Sequence, residues 1–114
     1  MRAGIALSPE TPASAVAPLL AAGAFDLALC MTVAPGFGGQ PFMPEVLPKV
    51  AELRAAFPDL DIQCDGGINA ATAVAAVAAG ANCLVAGSAV FGASDPAAVI
   101  AALRQTLQAR FGPM

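Results

Sequence analysis

Asp65 follows the apolar run Ile62-Gln63-Cys64 directly and precedes Gly66-Gly67. A carboxylate at the tip of a strand can take up or deliver a proton, or bind a metal. Two glycines beside it let the backbone approach a ligand without Cβ interference. Further along, Gly87-Ser88 closes a second apolar run, Cys83-Leu84-Val85-Ala86. At a loop-to-helix junction, free backbone N–H groups and a serine hydroxyl suit an anion. Gly66, Gly67, Gly87 and Ser88 can therefore hold one phosphate between them. The segment Pro35-Gly36-Phe37-Gly38-Gly39-Gln40 sets three glycines around one phenylalanine, a composition suited to closing over a substrate and excluding water. It is followed by no Gly-Lys-Ser/Thr and contains no G-x-G-x-x-G, so it is not a nucleotide loop of either kind. Two of these features have plainer counterparts, an ordinary Asp-Gly turn at Asp65 and a glycine-dependent turn at Gly87, and Met31, at the end of the strand before the glycine-rich segment, reads as core packing.

The elements that position these residues follow from apolar runs and their punctuation. Ala3–Leu7 reads as a first strand. Thr11 is the expected N-cap of a helix with Pro12 at its first position and Gly23 as its stop. Leu27–Thr32 is a continuous apolar strand of the kind buried on both faces. A helix follows near Pro44–Phe57, with Val46, Val50, Leu53 and Phe57 on one face and Glu45 placed to pair with Lys49; Pro48 limits how early it begins. After the strand ending at Asp65, Asn69 caps an alanine-rich helix that Gly80 ends. Cys83–Ala86 is the fourth strand, and Ser94 or Asp95, then Pro96, opens a last helix before Gly112-Pro113. Strands alternating with helices, and no hairpin signal, predict a parallel sheet. The unusual residues all fall after strand ends. A (β/α)8 barrel gathers such loops on one face, with a phosphate site after its last two strands. The expected fold is α/β, a partial TIM barrel of four βα units in one domain, residues 1–114, with Asp65 and Ser88 on one rim.

Composition narrows the function. The chain has 114 residues, 58% hydrophobic and 11% charged, with 5 basic against 8 acidic side chains and a net charge of −3. That excludes disorder, and the lack of a basic cluster argues against nucleic acid. No apolar run reaches the roughly 18 residues of a membrane span, and the apolar stretch after Met1-Arg2 is short for a signal peptide, so a cytoplasmic or organellar location is expected. Cys30, Cys64 and Cys83 lie in strand-like runs without C-x-x-C spacing, as buried thiols do. So few charges on so small a body predict surface buried against a further part of a barrel or an oligomer partner.

Cys30-Met31-Thr32-Val33-Ala34-Pro35-Gly36-Phe37-Gly38-Gly39-Gln40-Pro41-Phe42 closely resembles the loop after strand six in ribulose-phosphate 3-epimerases. Leu47-Pro48-Lys49-Val50, Asp65-Gly66-Gly67-Ile68-Asn69 and Ala86-Gly87-Ser88-Ala89-Val90-Phe91 match the same family in the same order, as strands five to eight of its barrel. The resemblance implies an isomerase interconverting D-ribulose 5-phosphate and D-xylulose 5-phosphate. Two aspartates exchange the proton at C3, and a divalent cation of the zinc, iron, manganese or cobalt class polarises the neighbouring carbonyl. Asp65 matches one aspartate, which is also a metal ligand. Gly36, Phe37, Gly38 and Gly39 match the substrate-covering loop, and Gly66, Gly67, Gly87 and Ser88 the phosphate site. The other aspartate and the two histidine ligands belong to the first half of that barrel, and this chain has no histidine. Glu10 and Asp26 stand in the wrong context to replace them. The chain alone is therefore expected to be inactive. Alternatives are a non-enzymatic phosphosugar-binding or assembly half-barrel, and a hexulose-phosphate 3-epimerase.

Overall fold

Among residues 2–34 and 41–113, which the computed structural model describes, four strands lie side by side in chain order: β1 (Gly4–Leu7), β2 (Leu27–Met31), β3 (Asp61–Asp65) and β4 (Cys83–Val85). Every neighbouring pair is parallel. Between and after them run α1 (Ala13–Ala21), α2 (Leu47–Ala56), α3 (Ala70–Ala79), the single turn α4 (Ser88–Phe91) and α5 (Pro96–Phe111). This is the expected α/β architecture of sequential βα units, consistent with part of a TIM barrel. No helix among the described residues is long and apolar enough to cross a membrane.

The core lies between the sheet and the helices. Leu7, Ala28, Cys30, Ile62 and Cys64 point to the helix side and are fully buried against Val16, Leu20, Val50, Leu53 and Ala76. Successive strand residues alternate faces, so register sorts the opposite face into rows. Gly4, Leu27 and Asp61 form one row, Ala6, Leu29, Gln63 and Cys83 the next, and Met31, Asp65 and Val85 the row nearest the strand C-termini. These residues are half-buried or exposed. The expectation that β2 is buried on both faces is thus corrected.

Element boundaries follow local chemistry. Asn69 caps α3 as expected: its Oδ1 accepts from the Ala71 and Thr72 amides at 2.9 Å each, while Thr72 Oγ1 accepts from the Asn69 amide at 2.9 Å. Gly80 ends that helix at φ +131°, and a Cβ there would fall 2.6 Å from Arg54 Cβ. Asp95 caps α5 through the Ala98 amide at 3.2 Å. Thr11 does not cap α1; its hydroxyl meets Ser8 Oγ at 2.9 Å, and Pro12 occupies the N-cap. The helix expected from Pro44 begins instead as a 3₁₀ turn, Pro44–Val46. Pro48 lacks the N–H that would bond the Pro44 carbonyl, and its ring would clash there in an α-helix. The expected Glu45–Lys49 pair gives way to a tertiary contact. Lys49 Nζ donates to the carbonyl oxygens of Ser8 at 2.9 Å and Pro9 at 3.1 Å, tying α2 to the loop after β1. At the opposite, N-terminal end of the sheet, Asp61 accepts from Arg2 and Asn82, which hold its carboxyl below the usual range.

Candidate active site

Asp65 is the last residue of β3 and shares its row with Met31 and Val85. The chain then turns through two residues with positive φ, Gly66 at +119° and Gly67 at +69°. Both must be glycine for steric reasons as well. A Cβ on Gly66 would lie 2.5 Å from Val33 Cγ2, and one on Gly67 would lie 2.9 Å from the Phe42 backbone. The turn is held from β2's extension. Thr32, fully buried, donates from Oγ1 to the Gly66 carbonyl at 2.5 Å, and its amide donates to the Asp65 carbonyl at 3.0 Å. On the other side, Thr72 Oγ1 donates to the Gly67 carbonyl at 2.8 Å. The Asp65–Gly67 backbone is thereby pinned by two hydroxyls and an amide.

Gly87 and Ser88 follow β4 on the same rim, and Gly66, Gly67, Gly87 and Ser88 line one cleft with Asp65. The cleft has a volume of about 980 Å³. A Cβ at Gly87 would meet nothing within 4 Å, so this glycine leaves open space where the cleft lies. Ser88 and Ala89 begin α4, and the first N–H groups of a helix have no intrahelical acceptor. Because α4 is only one turn, the anion affinity expected of a full helix terminus reduces to those amides and the Ser88 hydroxyl. Asp65 is the only ionisable group among the described lining residues, and no hydrogen-bond donor among the described residues meets its carboxylate. Among the described residues the site therefore offers backbone amides and the Ser88 hydroxyl to an oxyanion, beside one carboxylate that meets no donor.

Gly36, Phe37, Gly38 and Gly39 lie outside the described residues. The flanking Val33, Pro41 and Phe42 line the cleft. Thr32 was not singled out by the sequence, though a polar residue ending an apolar run was the available signal. Asn69 and Thr72, expected or found at a helix cap, also line the cleft. The cysteines take no part: burial pushes the Cys30 thiol up to about 11 and the Cys64 thiol up to about 12. Among the described residues no three metal-ligating side chains come together. Asp65 alone does not make a site for the divalent cation that the resemblance implies.

The family model described as the ribulose-phosphate 3 epimerase family matches residues 1–91. The chain belongs to that family. A ribulose-phosphate 3-epimerase of Oryza sativa subsp. japonica, a cytoplasmic isoform, is 52% identical over 95% of this chain and 48% of its own length. The ribulose-phosphate 3-epimerase of Eremothecium gossypii is 49% identical over 95% of this chain and 44% of its own. That of Mycobacterium leprae is 49% identical over 91% and 47%. Among solved structures, a chain of the Amycolatopsis orientalis BexX/CysO complex superposes with a TM-score of 0.63 at 25% identity, over 96% of this chain and 44% of that one. This member of the epimerase family thus spans about half the length of the relatives it matches.

Proposed function

We propose that residues 1–114 are the C-terminal half-barrel, strands five to eight, of an enzyme that interconverts D-ribulose 5-phosphate and D-xylulose 5-phosphate. The observation that carries this reading is the convergence of Asp65, Gly66, Gly67, Gly87 and Ser88 on one cleft. The amides and hydroxyl of this rim bind the phosphate, and the pinned Gly66-Gly67 turn fixes its position relative to Asp65. Asp65 acts on one face of the sugar: it takes the proton from C3, leaving an enediolate, or returns a proton to C3 from that face. Inversion requires a second acid–base group on the opposite face. In the family that is the aspartate of the first half. The family's divalent cation belongs to the completed barrel too, because the chain has no histidine. The name of the rice relative supports a cytoplasmic location.

Joining the first half of the rice relative to this chain tests the assignment. The chimera is expected to turn over ribulose 5-phosphate, and Asp65→Asn to lower kcat by about 10³-fold or more, the scale of a lost general acid–base. An inactive chimera, or one indifferent to Asp65→Asn, overturns it. The missing histidines and second carboxylate favour a second reading for the isolated chain, a half-barrel that binds a sugar phosphate without turning it over. Robust turnover by the isolated chain would falsify that reading.

A further inference from the structure

We propose that Thr32 is a positioning residue: its buried hydroxyl turns the Gly67 N–H into the cleft, toward a bound anion that Thr32 itself does not touch. The inference rests on the phosphosugar reading of the cleft and adds to it a residue from outside the lining.

The direction of that N–H follows from strand parity. The Thr32 amide donates to the Asp65 carbonyl at 3.0 Å, so the backbone of β2 runs on beside β3 for one residue past Met31. Side chains along it alternate faces. Cys30 points to the helix layer and Met31 to the opposite face, so Thr32 points to the helix layer, where it is fully buried. From there its Oγ1 donates to the Gly66 carbonyl at 2.5 Å. A trans peptide plane sets its C=O and the following N–H in opposite directions, and no cis bond occurs among the described residues. With the Gly66 oxygen drawn back toward β2 and the helix layer, the Gly67 N–H is turned the other way. That way lies the face that carries Asp65, and β4 on the far side of β3. Gly87 and Ser88 follow β4 and line the same cleft as Gly67.

The peptide plane needs this restraint. It joins two glycines, whose backbones lack the steric limits that a Cβ imposes. Thr72 Oγ1 holds the next carbonyl, that of Gly67, at 2.8 Å, so Thr32 and Thr72 fix two successive planes. Among the described residues no acceptor meets the Gly67 N–H, and Thr32 is the one polar residue that is buried. A donor held in place before the ligand arrives binds more tightly than one that must be ordered on binding.

Titration of the isotopically labelled chain with inorganic phosphate tests the inference in the wild type, Thr32→Ser and Thr32→Val. In the wild type the Gly67 and Ser88 amides are expected to shift together. Thr32→Val is expected to lose the Gly67 shift and to raise the phosphate Kd about tenfold or more, the scale of one hydrogen bond to a charged group. Thr32→Ser, which restores the hydroxyl, is expected to keep both. A Thr32 that served stability alone would move the urea midpoint and leave the Kd of the folded protein unchanged. Where Thr32→Val does not fold, Thr32→Ala removes the same donor, and the wild type alone still decides: a shift at Ser88 without one at Gly67 overturns the proposal. So does a Thr32→Val protein that binds as the wild type does, or a Thr32→Ser protein that behaves like Thr32→Val; each leaves the cleft reading standing. Unmoved Gly67 and Ser88 amides in the wild type overturn the cleft reading itself, and this inference with it.

Discussion

Thr32 and Gly66, separated by more than thirty residues in the chain, are joined by a 2.5 Å hydrogen bond from the threonine hydroxyl to the glycine carbonyl. That bond crosses from the extension of β2 to the turn after β3. It lets a buried side chain set the shape of the cleft floor without touching what enters it. Thr32→Val removes the donor and leaves a carbonyl short of a partner, with an expected loss of about 1–3 kcal/mol. Thr32→Ser keeps the hydroxyl and is expected to lose less than Thr32→Val. Urea denaturation of the three proteins measures the difference.

Gly66 and Gly87 should respond in opposite ways to alanine. Gly66→Ala forces a Cβ to 2.5 Å from Val33 Cγ2 at φ +119°, and is expected to cost at least about 2 kcal/mol. At Gly87 a Cβ meets nothing within 4 Å, so Gly87→Ala is expected to change stability by less than about 0.5 kcal/mol. It would instead narrow the cleft that Gly87 lines and weaken phosphate binding. Thermal unfolding and a phosphate titration of each variant separate the two effects.

Asn69→Ala removes the acceptor for two amides at the start of α3, and Thr72→Ala removes the reciprocal half of the same box. Each is expected to cost about 0.5–2 kcal/mol. Because Thr72 also holds the Gly67 carbonyl, Thr72→Ala should disturb the cleft more than Asn69→Ala. Amide shifts at Gly67 in the two variants read that difference.

Alkaline pH should destabilise the fold through its thiols. Unfolded cysteines ionise near pH 8.5–9. Burial raises Cys30 to about 11 and Cys64 to about 12. Between those limits the folded state holds more protons than the unfolded one, so stability falls as pH rises, by about 1.4 kcal/mol per pH unit for each thiol. Burial raises the Cys83 thiol as well, so it adds to the fall in the same direction, and the chain has no tyrosine. Urea midpoints from pH 7.5 to 10.5 should fall, and Cys64→Ala should flatten the slope.

What the sequence made legible was whatever local chemistry decides. Asp65 was visible because two glycines end its strand, and Asn69 because its capping partners lie two and three residues away. Interactions across the chain were not visible. Thr11 turns its hydroxyl to Ser8 instead of capping α1, Lys49 leaves Glu45 for the carbonyls of Ser8 and Pro9, and Thr32 acts on a partner from another βα unit. The half-buried face of β2 was not visible either, since an apolar run looks alike whether or not a wall stands opposite it.

Titration of the isotopically labelled chain with D-ribulose 5-phosphate, and with inorganic phosphate as control, probes the cleft most directly. The expected result is that both ligands shift the amides of Gly66, Gly67, Gly87 and Ser88, that only the sugar phosphate perturbs the Asp65 carboxyl, and that α1 and α2 stay still. Unmoved rim amides at saturating ligand, or shifts confined to the separate apolar groove lined by Leu84, Val90, Ile100, Leu103 and Leu107, would contradict a phosphosugar site built on Asp65 and Ser88.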